Sequence, residues 1–342
     1  MVNLLEGDEQ LQLIASVVSF LSEKLPVQQL HSEATSLPRE NDIWQDICDQ
    51  GWFAMNLSED HGGSGFTFGD EMLIYREFGR YLLSPSILAT RLALHAAVHD
   101  GDTTAAENLL SGKWKAAVGI AKPDASLDPK NSAGTFQILD GDQADLVVIW
   151  NNDGLALIDR DTFTSFEPAK AMDWSSAMTL GTLGGVAPRT WVGADRLNLP
   201  AQANTLIAAM LIGNAEATRD MAVEYAKLRE QFGRAIGSFQ AVKHHCANLA
   251  MRAEASWAQT IFAGLSLEKV AANGLYNTHA AKILAADAAI KNSEMNIQIH
   301  GGIGFTADAD PQLFLRRAHL FNQIGGNIRQ HQASLIALEN FD

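Results

Sequence analysis

A chain of 342 residues with 47% apolar and 19% charged side chains is long enough for two or three domains, and this composition excludes a disordered protein. Its net charge of −15 argues against nucleic acids and anionic membranes as partners, because both attract basic surfaces. The two cysteines, Cys48 and Cys246, show no pairing pattern, so we expect neither a disulfide framework nor a metal site, and a cytoplasmic location. The acidic first ten residues lack the pattern of a signal or transit peptide, and we expect no membrane span.

Residues 1–112 are predicted to form an N-terminal helical domain. Leu13, Val17 and Leu21 recur at the spacing of one helix face. A glycine-rich loop at residues 61–66 interrupts the helical pattern, which then resumes.

Residues 113–198 change character and predict a small antiparallel β-domain. Its short strand-like runs, each bounded by turn residues, include Ala116–Ala121, Ala144–Trp150 and Gly154–Ile158. Residues 199–342 are again helical, with alanine-rich segments at about 203–229, 237–271, 273–297 and 311–340. The fold class is therefore mainly α with a small β-domain between two helical layers.

Two motifs in the C-terminal region carry groups suited to a dinucleotide. In the stretch Arg229-Glu-Gln-Phe-Gly-Arg-Ala-Ile-Gly-Ser-Phe-Gln240, the arginine supplies a guanidinium fork for phosphate and Phe232 supplies an aromatic face. In Gln298-Ile-His-Gly-Gly-Ile-Gly-Phe-Thr306, the glycines permit close backbone approach. Structural interpretations stay open: a core aromatic for Phe232, a helix-end cation for Arg229, and a tight interhelical turn for the glycines.

Together with Gly51–Gly65 and Tyr75–Arg80, these motifs resemble the acyl-CoA dehydrogenases, and they follow in that family's order over nearly the whole chain. The resemblance implies an N-terminal helical domain (1–112), a middle β-barrel-like domain (113–198) and a C-terminal four-helix bundle (199–342). It also implies FAD as cofactor, an acyl-CoA substrate, an electron-transfer flavoprotein as electron acceptor, and at least a dimer, with a tetramer as the family's usual assembly.

The resemblance further assigns residues to the cofactor. In the family, five positions bind the FAD of the neighbouring subunit, and here they are Arg229, Gln231, Phe232, Gln298 and Gly302. Gly301 and Asn327 complete the predicted cofactor-binding set.

The catalytic base is where the sequence departs from the family. One family base position falls on Gly325, in Ile324-Gly325-Gly326-Asn327 where the family has Tyr-Glu-Gly-Thr, and the other falls on Ala203. Neither side chain can accept a proton. No Asp or Glu lies between Arg196 and Glu216, so a small shift in alignment does not restore the second position.

The middle domain also departs from the family. Its Thr-Glu-Pro motif is replaced by Ala121-Lys122-Pro123, and the strand that packs against the flavin ring has no clear match. Both losses are expected to weaken flavin binding in the chain's own site, whereas the residues that reach a neighbour's FAD are kept.

Three hypotheses follow. The chain resembles the base-lacking subunit of heteromeric acyl-CoA dehydrogenases, in which a base-bearing paralogue supplies the catalytic half and the substrate is a bulky thioester such as a steroid side chain. Alternatively, it is a self-sufficient homo-oligomeric enzyme with an unconventional base, Asp308 or Asp310. The third hypothesis is a non-catalytic homodimer that binds acyl-CoA or flavin.

Overall fold

The computed structural model describes residues 6–31 and 39–338. The chain divides into two compact units. The first, here called the helical unit, comprises Met1–His31, Met72–Leu82 and Asn204–Asp342, and the second, the sheet unit, comprises Ser32–Glu71 and Leu83–Ala203. The predicted fold class, helices before and after a sheet, is confirmed, and the three domain boundaries stay a prediction.

The N-terminal helices begin and end at residues suited to those positions. In the helix α1, Gln10 accepts a hydrogen bond from the backbone N–H of Gly7 at 3.0 Å, and Val17 and Leu21 are buried as their spacing predicts. The helix α4 has Ser84 as its N-cap and ends at Gly101, whose φ of 78° is the left-handed conformation common after helices. The bounds of this group are α1 Asp8–Lys24, α2 Trp44–Asp49, α3 Phe68–Arg80, α4 Pro85–Asp100 and α5 Thr103–Leu110.

A seven-stranded sheet forms the middle of the chain, in the order β5-β6-β2-β1-β3-β4-β7. The three predicted strands are confirmed as β1, β3 and β4. The prediction of a purely antiparallel domain is wrong, because β1 pairs with β3 in parallel after the chain has reversed through β2 on the other side of β1. The bounds are β1 Ala116–Ala121, β2 Ser132–Leu139, β3 Leu146–Trp150, β4 Gly154–Asp159, β5 Ser165–Ala169, β6 Met178–Val186 and β7 Thr190–Gly193.

Long helices make up the helical unit, with a short β-hairpin between the first two. Their bounds are α6 Leu199–Leu228, β8 Glu230–Gln231, β9 Arg234–Ala235, α7 Gln240–Glu268, α8 Gly274–His300, α9 Pro311–Gln323 and α10 Ile328–Ala337. None of the helices within 6–31 and 39–338 is long and apolar enough to cross a membrane.

The helices α3 and α6 cross with their backbones in contact. A Cβ on Gly79 would lie 1.8 Å from the carbonyl oxygen of Met210, and a Cβ on Gly213 would lie 1.8 Å from that of Arg76. Any larger residue at either glycine must push the two helices apart.

The helical segment predicted at about 311–340 forms two helices, because the helix is broken between α9 and α10. Gly325 and Gly326 adopt φ values of 69° and 109°, which lie outside the helical region. The last two residues of that predicted helix lie outside the described residues.

The turn between α7 and α8 places a valine where glycine is normally found. Val270 has a φ of 49°, its N–H donates to Leu267, and the N–H of Ala271 donates to Ser266 at 2.9 Å, which is a Schellman cap with Val270 at its left-handed position. The side chain is 90% exposed, so packing does not offset the strain.

We expect Val270→Gly to raise the free energy of unfolding by about 0.5–1 kcal/mol, since relief of left-handed strain exceeds the added flexibility of glycine. Denaturant unfolding of the two proteins measures the difference. Ala271→Gly is the matched control, because it adds flexibility next to the cap without relieving strain, and it should lower stability. A Val270→Gly chain no more stable than the parent would contradict the strain.

Candidate functional site

The predicted residues Arg229, Gln231 and Phe232 lie on the tight hairpin that follows α6. Its two loop residues, Phe232 and Gly233, have φ values of 55° and 76°, as in a type I′ turn. Phe232 is 92% exposed and meets Phe239 edge to face at 6.1 Å. The interpretation of Phe232 as a core aromatic is therefore wrong.

Phe232 is a solvent-exposed phenylalanine in a left-handed backbone conformation. This conformation destabilises the chain, and burial of the side chain does not offset the strain. Type I′ turns favour Asn-Gly at these two positions. We expect Phe232→Asn to raise the free energy of unfolding of the chain by about 0.5–1 kcal/mol, by relief of this strain. Thermal unfolding measures it, and an unaltered or lower stability would remove the argument that Phe232 is kept for function.

Arg229 begins the hairpin with an exposed guanidinium. Its backbone N–H donates to Tyr225 at 2.8 Å and its carbonyl accepts from Ile236 at 2.8 Å. In the part of the chain that the structure describes, no carboxylate pairs with its side chain. Arg229 lies one residue past α6, and a cation is favourable there because the C-terminus of a helix carries partial negative charge. The two backbone hydrogen bonds fix the position of the residue, and its guanidinium stays exposed to solvent. The amide of Gln231 donates to the adjacent carbonyl of Glu230.

The second predicted motif lies at the end of α8. Gln298 is exposed in its last turn, and the chain then turns through a 3₁₀ segment at Gly301–Phe305. Gly304 is a packing glycine, because a Cβ there would lie 2.9 Å from the carbonyl oxygen of Ile297. Gly302 differs: it has no left-handed φ, and a Cβ there would meet nothing within 4 Å. The fold of this chain alone does not require a glycine at 302, which fits close approach by something outside the chain.

Two aromatic rings join these turns. Tyr225, in the last turn of α6, stacks on His300, the last residue of α8, with ring centroids 4.1 Å apart and planes at 26°. The structure thereby brings together six predicted residues in what we call the two-turn surface: Arg229, Gln231, Phe232, Gln298, Gly301 and Gly302. Tyr225 and His300 were not among the predicted site residues, although His300 lies within the second motif and Tyr225 is four residues before the first.

Large apolar side chains flank the two-turn surface. Leu228 is 79% exposed, Phe305 is 75% exposed, and Ile303 is also exposed. Apolar side chains concentrated next to polar ones mark a surface that another molecule covers.

Gly325 lies elsewhere, in a turn held by a buried lysine. Lys282 of α8 is fully buried, and burial lowers its pKa to about 7. No carboxylate in the described ranges lies close enough to Lys282 to raise this pKa. Its ammonium nitrogen lies 3.0–3.3 Å from four backbone carbonyl oxygens on either side of Gly325, those of Phe321, Asn322, Ile324 and Gly326, so its three N–H groups are shared among four acceptors.

A histidine pair lies against the same turn. The Nδ1 atoms of His279 and His331 are 2.8 Å apart, so one ring donates to the other. Burial lowers the pKa of both, that of His331 to about 3 with help from the charges of Lys282 and His279. Among the described residues, the titratable side chains found against this turn are therefore an amine and two neutral imidazoles.

Asn327, also predicted to bind the cofactor, caps α10. Its side chain accepts from the N–H of Gln330 at 3.1 Å, and the side chain of Gln330 accepts from the N–H of Asn327 at 2.9 Å. The structure does not bring it to the two-turn surface: Lys282, which binds this turn, precedes Gln298 on α8 by 16 residues, or about 24 Å. A cofactor role for Asn327 stays a prediction.

The second base position, Ala203, is buried in the first helical turns of α6. Thr205, two residues further on, lies 3.5 Å from the hydroxyl of Thr278 on α8. Neither group is a proton acceptor at neutral pH.

The unconventional base candidates lie at the start of α9. Asp310 contacts His31, with Oδ1 2.5 Å from Nε2, and accepts from Gln28 at 2.9 Å. Burial lowers the pKa of His31, but its hydrogen bonds to Ala307 and Asp310 and the nearby aspartate charges outweigh burial and raise it. Because α9 has 13 residues, Asp310 and Gly325 are separated by about 20 Å.

Comparison with known proteins gives consistent matches over the chain. Residues 7–112 match the acyl-CoA dehydrogenase N-terminal domain, and residues 201–337 match the acyl-CoA dehydrogenase C-terminal domain. The chain is 30% identical over 332 residues to acyl-CoA dehydrogenase IpdE2 of Mycolicibacterium smegmatis, which covers 96% of this chain and 98% of the relative.

Solved structures share the fold. The ChsE4–ChsE5 complex from Mycobacterium tuberculosis matches with a TM-score of 0.84 at 19% identity, covering 99% of this chain and 100% of that chain. A variant of the Tcur3481–Tcur3483 steroid ACAD matches with a TM-score of 0.83 at 23% identity, covering 97% of this chain and 98% of that chain. At these identities the two structures establish the fold alone.

Proposed function

The chain belongs to the acyl-CoA dehydrogenase family, whose members are FAD-dependent oxidoreductases acting on CH–CH bonds, and we propose that it is the base-lacking subunit of a heteromeric enzyme of this family. In this role its two-turn surface completes the FAD site of a base-bearing partner. Its substrate, shared with that partner, is an acyl-CoA thioester, with bulky acyl groups such as steroid side chains as the first class to test.

The turn at Gly325 is the observation that carries this proposal. Removal of the α-proton of a thioester needs a base within hydrogen-bonding reach, and family members use a carboxylate at this position or at that of Ala203. Here the position is a glycine in left-handed backbone, surrounded by Lys282 and two neutral histidines. The turn is held by hydrogen bonds from Lys282, so the site has a defined backbone but no proton acceptor.

The exposed groups of the two-turn surface fit the cofactor. Arg229 offers an unpaired guanidinium fork to a pyrophosphate, and Phe232 offers an aromatic face. Gly302 leaves open space where a side chain would otherwise stand, so backbone can approach the ligand. FAD supplies a hydride acceptor when it is bound. The task of this chain is to hold and orient it, while the partner removes the proton.

The geometry disfavours an unconventional base in this chain. Asp310 is about 20 Å from Gly325, measured along α9, and its two carboxylate oxygens already contact His31 and Gln28. A base at that distance cannot act on a substrate held beside Gly325.

Visible absorption spectra test the proposal. The chain is purified alone and after co-expression with a base-bearing acyl-CoA dehydrogenase from the same organism. We expect little bound flavin in the lone chain, flavin in the co-purified complex, and dehydrogenation of acyl-CoA by the complex that is lost when the partner's base is changed to glutamine.

Other outcomes identify the alternatives. A yellow, active homo-oligomer would show that the chain is self-sufficient. A colourless chain that forms no complex with any base-bearing paralogue would leave the non-catalytic homodimer. A panel of short, long and steroid acyl-CoA thioesters then assigns the substrate class.

A further inference from the structure

The Tyr225–His300 stack connects the two halves of the two-turn surface. The backbone carbonyl of Tyr225 accepts the N–H of Arg229 at 2.8 Å, and its ring stacks on His300 at 4.1 Å. His300 directly precedes Gly301. One residue therefore holds the start of the hairpin through its backbone and the start of the glycine turn through its ring.

The ring of His300 is fixed by a second contact. Its Nδ1 lies 2.8 Å from the carbonyl oxygen of Asn296, so Nδ1 carries the proton and Nε2 keeps its lone pair. Burial lowers the pKa of His300, against the opposing effects of the Asn296 carbonyl and the charge of Asp310, so the imidazole is neutral near pH 7. With stacking on one side and a hydrogen bond on its edge, the ring has one orientation.

Four of the six residues of the surface cannot set the spacing of the two turns. Gly301 and Gly302 have no side chains, and Phe232 faces solvent. Gln231 bonds within the hairpin, to the carbonyl of Glu230.

We propose that Tyr225 and His300 are positioning residues, which fix the distance between Arg229 on the hairpin and the glycine turn so that both reach one dinucleotide held by the partner subunit. This inference rests on the proposed function. A ligand contacted by both turns requires them at a set separation. At catalytic sites, a misplacement of about 1 Å can reduce the rate by about a hundredfold.

The test uses the heteromeric complex and measures the Kd for FAD together with the visible circular dichroism of the bound flavin. Tyr225→Phe keeps the ring and should bind FAD within about twofold of the parent complex. Tyr225→Ala removes the stack and should raise the Kd by about tenfold to a hundredfold and change the dichroism of the flavin that remains.

A matched control separates positioning from general loss of structure. Tyr276→Ala removes a half-buried tyrosine at the opposite end of α8 and should lower the melting temperature without changing the Kd for FAD. A Tyr225→Ala complex that binds FAD as the parent does, or a Tyr276→Ala complex that loses FAD equally, would overturn the inference.

The experiment also distinguishes failure of the proposed function from failure of this inference. If the chain binds FAD without a partner, the proposed function fails, and the same variants in the homo-oligomer decide the role of the stack. A chain that binds flavin in neither setting overturns both.

Discussion

Lys282→Met should lower the free energy of unfolding by about 3 kcal/mol. The ammonium satisfies four backbone carbonyls around Gly325, and hydrogen bonds from charged groups contribute about 1.5–3 kcal/mol each, while leaving a buried acceptor unpaired costs about 1–3 kcal/mol. Relief from burying a charge offsets part of this loss. Denaturant unfolding measures the change, and hydrogen exchange at residues 324–331 should show the turn opening.

Lys291→Met is the matched control, on the same helix. Lys291 is exposed and pairs with Asp287 at 2.9 Å, so its loss should change stability by less than about 0.5 kcal/mol. A Lys282→Met chain as stable as the control would show that the carbonyls find other donors.

The pKa of Lys282 adds a dependence on pH with a defined sign. Burial lowers it to about 7 in the folded chain, against about 10.4 in the unfolded chain. Between these values the unfolded chain binds more protons, so the stability of the parent relative to Lys282→Met should rise from pH 7 towards pH 10. A constant difference over this range would mean that the lysine stays charged in the fold.

Arg229→Ala should weaken FAD retention by the heteromeric complex by about 10- to 150-fold. A charge-assisted hydrogen bond contributes about 1.5–3 kcal/mol, and 1.4 kcal/mol corresponds to tenfold in Kd. The chain itself should keep its stability, since no carboxylate in the described ranges pairs with this guanidinium. Fluorescence titration of FAD into the stripped complex gives the Kd.

Two variants make this measurement specific. Arg219→Ala, ten residues earlier on α6, removes a guanidinium that pairs with Asp220 at 2.8 Å and should leave the Kd unchanged. Arg229→Lys keeps the charge and loses the fork, so it should fall between the parent and the alanine variant. Equal Kd values for the Arg219 and Arg229 alanine variants would remove Arg229 from the cofactor site.

The sequence predicted the features that depend on local pattern. Helical spacing located α1, and apolar runs bounded by turn residues located β1, β3 and β4. The strands β5 and β6 were not predicted, because proline, threonine and glycine interrupt their short apolar runs. The break at Gly325–Gly326 was present in the sequence as two glycines within a segment predicted to be helical.

Other features depend on contacts between distant residues and leave no local signal. A lysine in a helix is usually exposed, and Lys282 is buried because α9 packs against α8 at this point. Tyr225 and His300 are 75 residues apart, so their stacking depends on how α6 and α8 pack. The strain at Phe232 follows from the turn type, which an aromatic residue does not predict.

The turn between α9 and α10 also bears on the cost of placing a carboxylate at position 325. A glutamate there would have to adopt the left-handed backbone that the glycine adopts, at a cost of about 1–2 kcal/mol. Next to it, even a methyl group on Gly326 would press on His331 at 3.3 Å. A single Gly325→Glu substitution would therefore place a carboxyl group at this turn in a strained geometry, and the variant should be less stable than the parent.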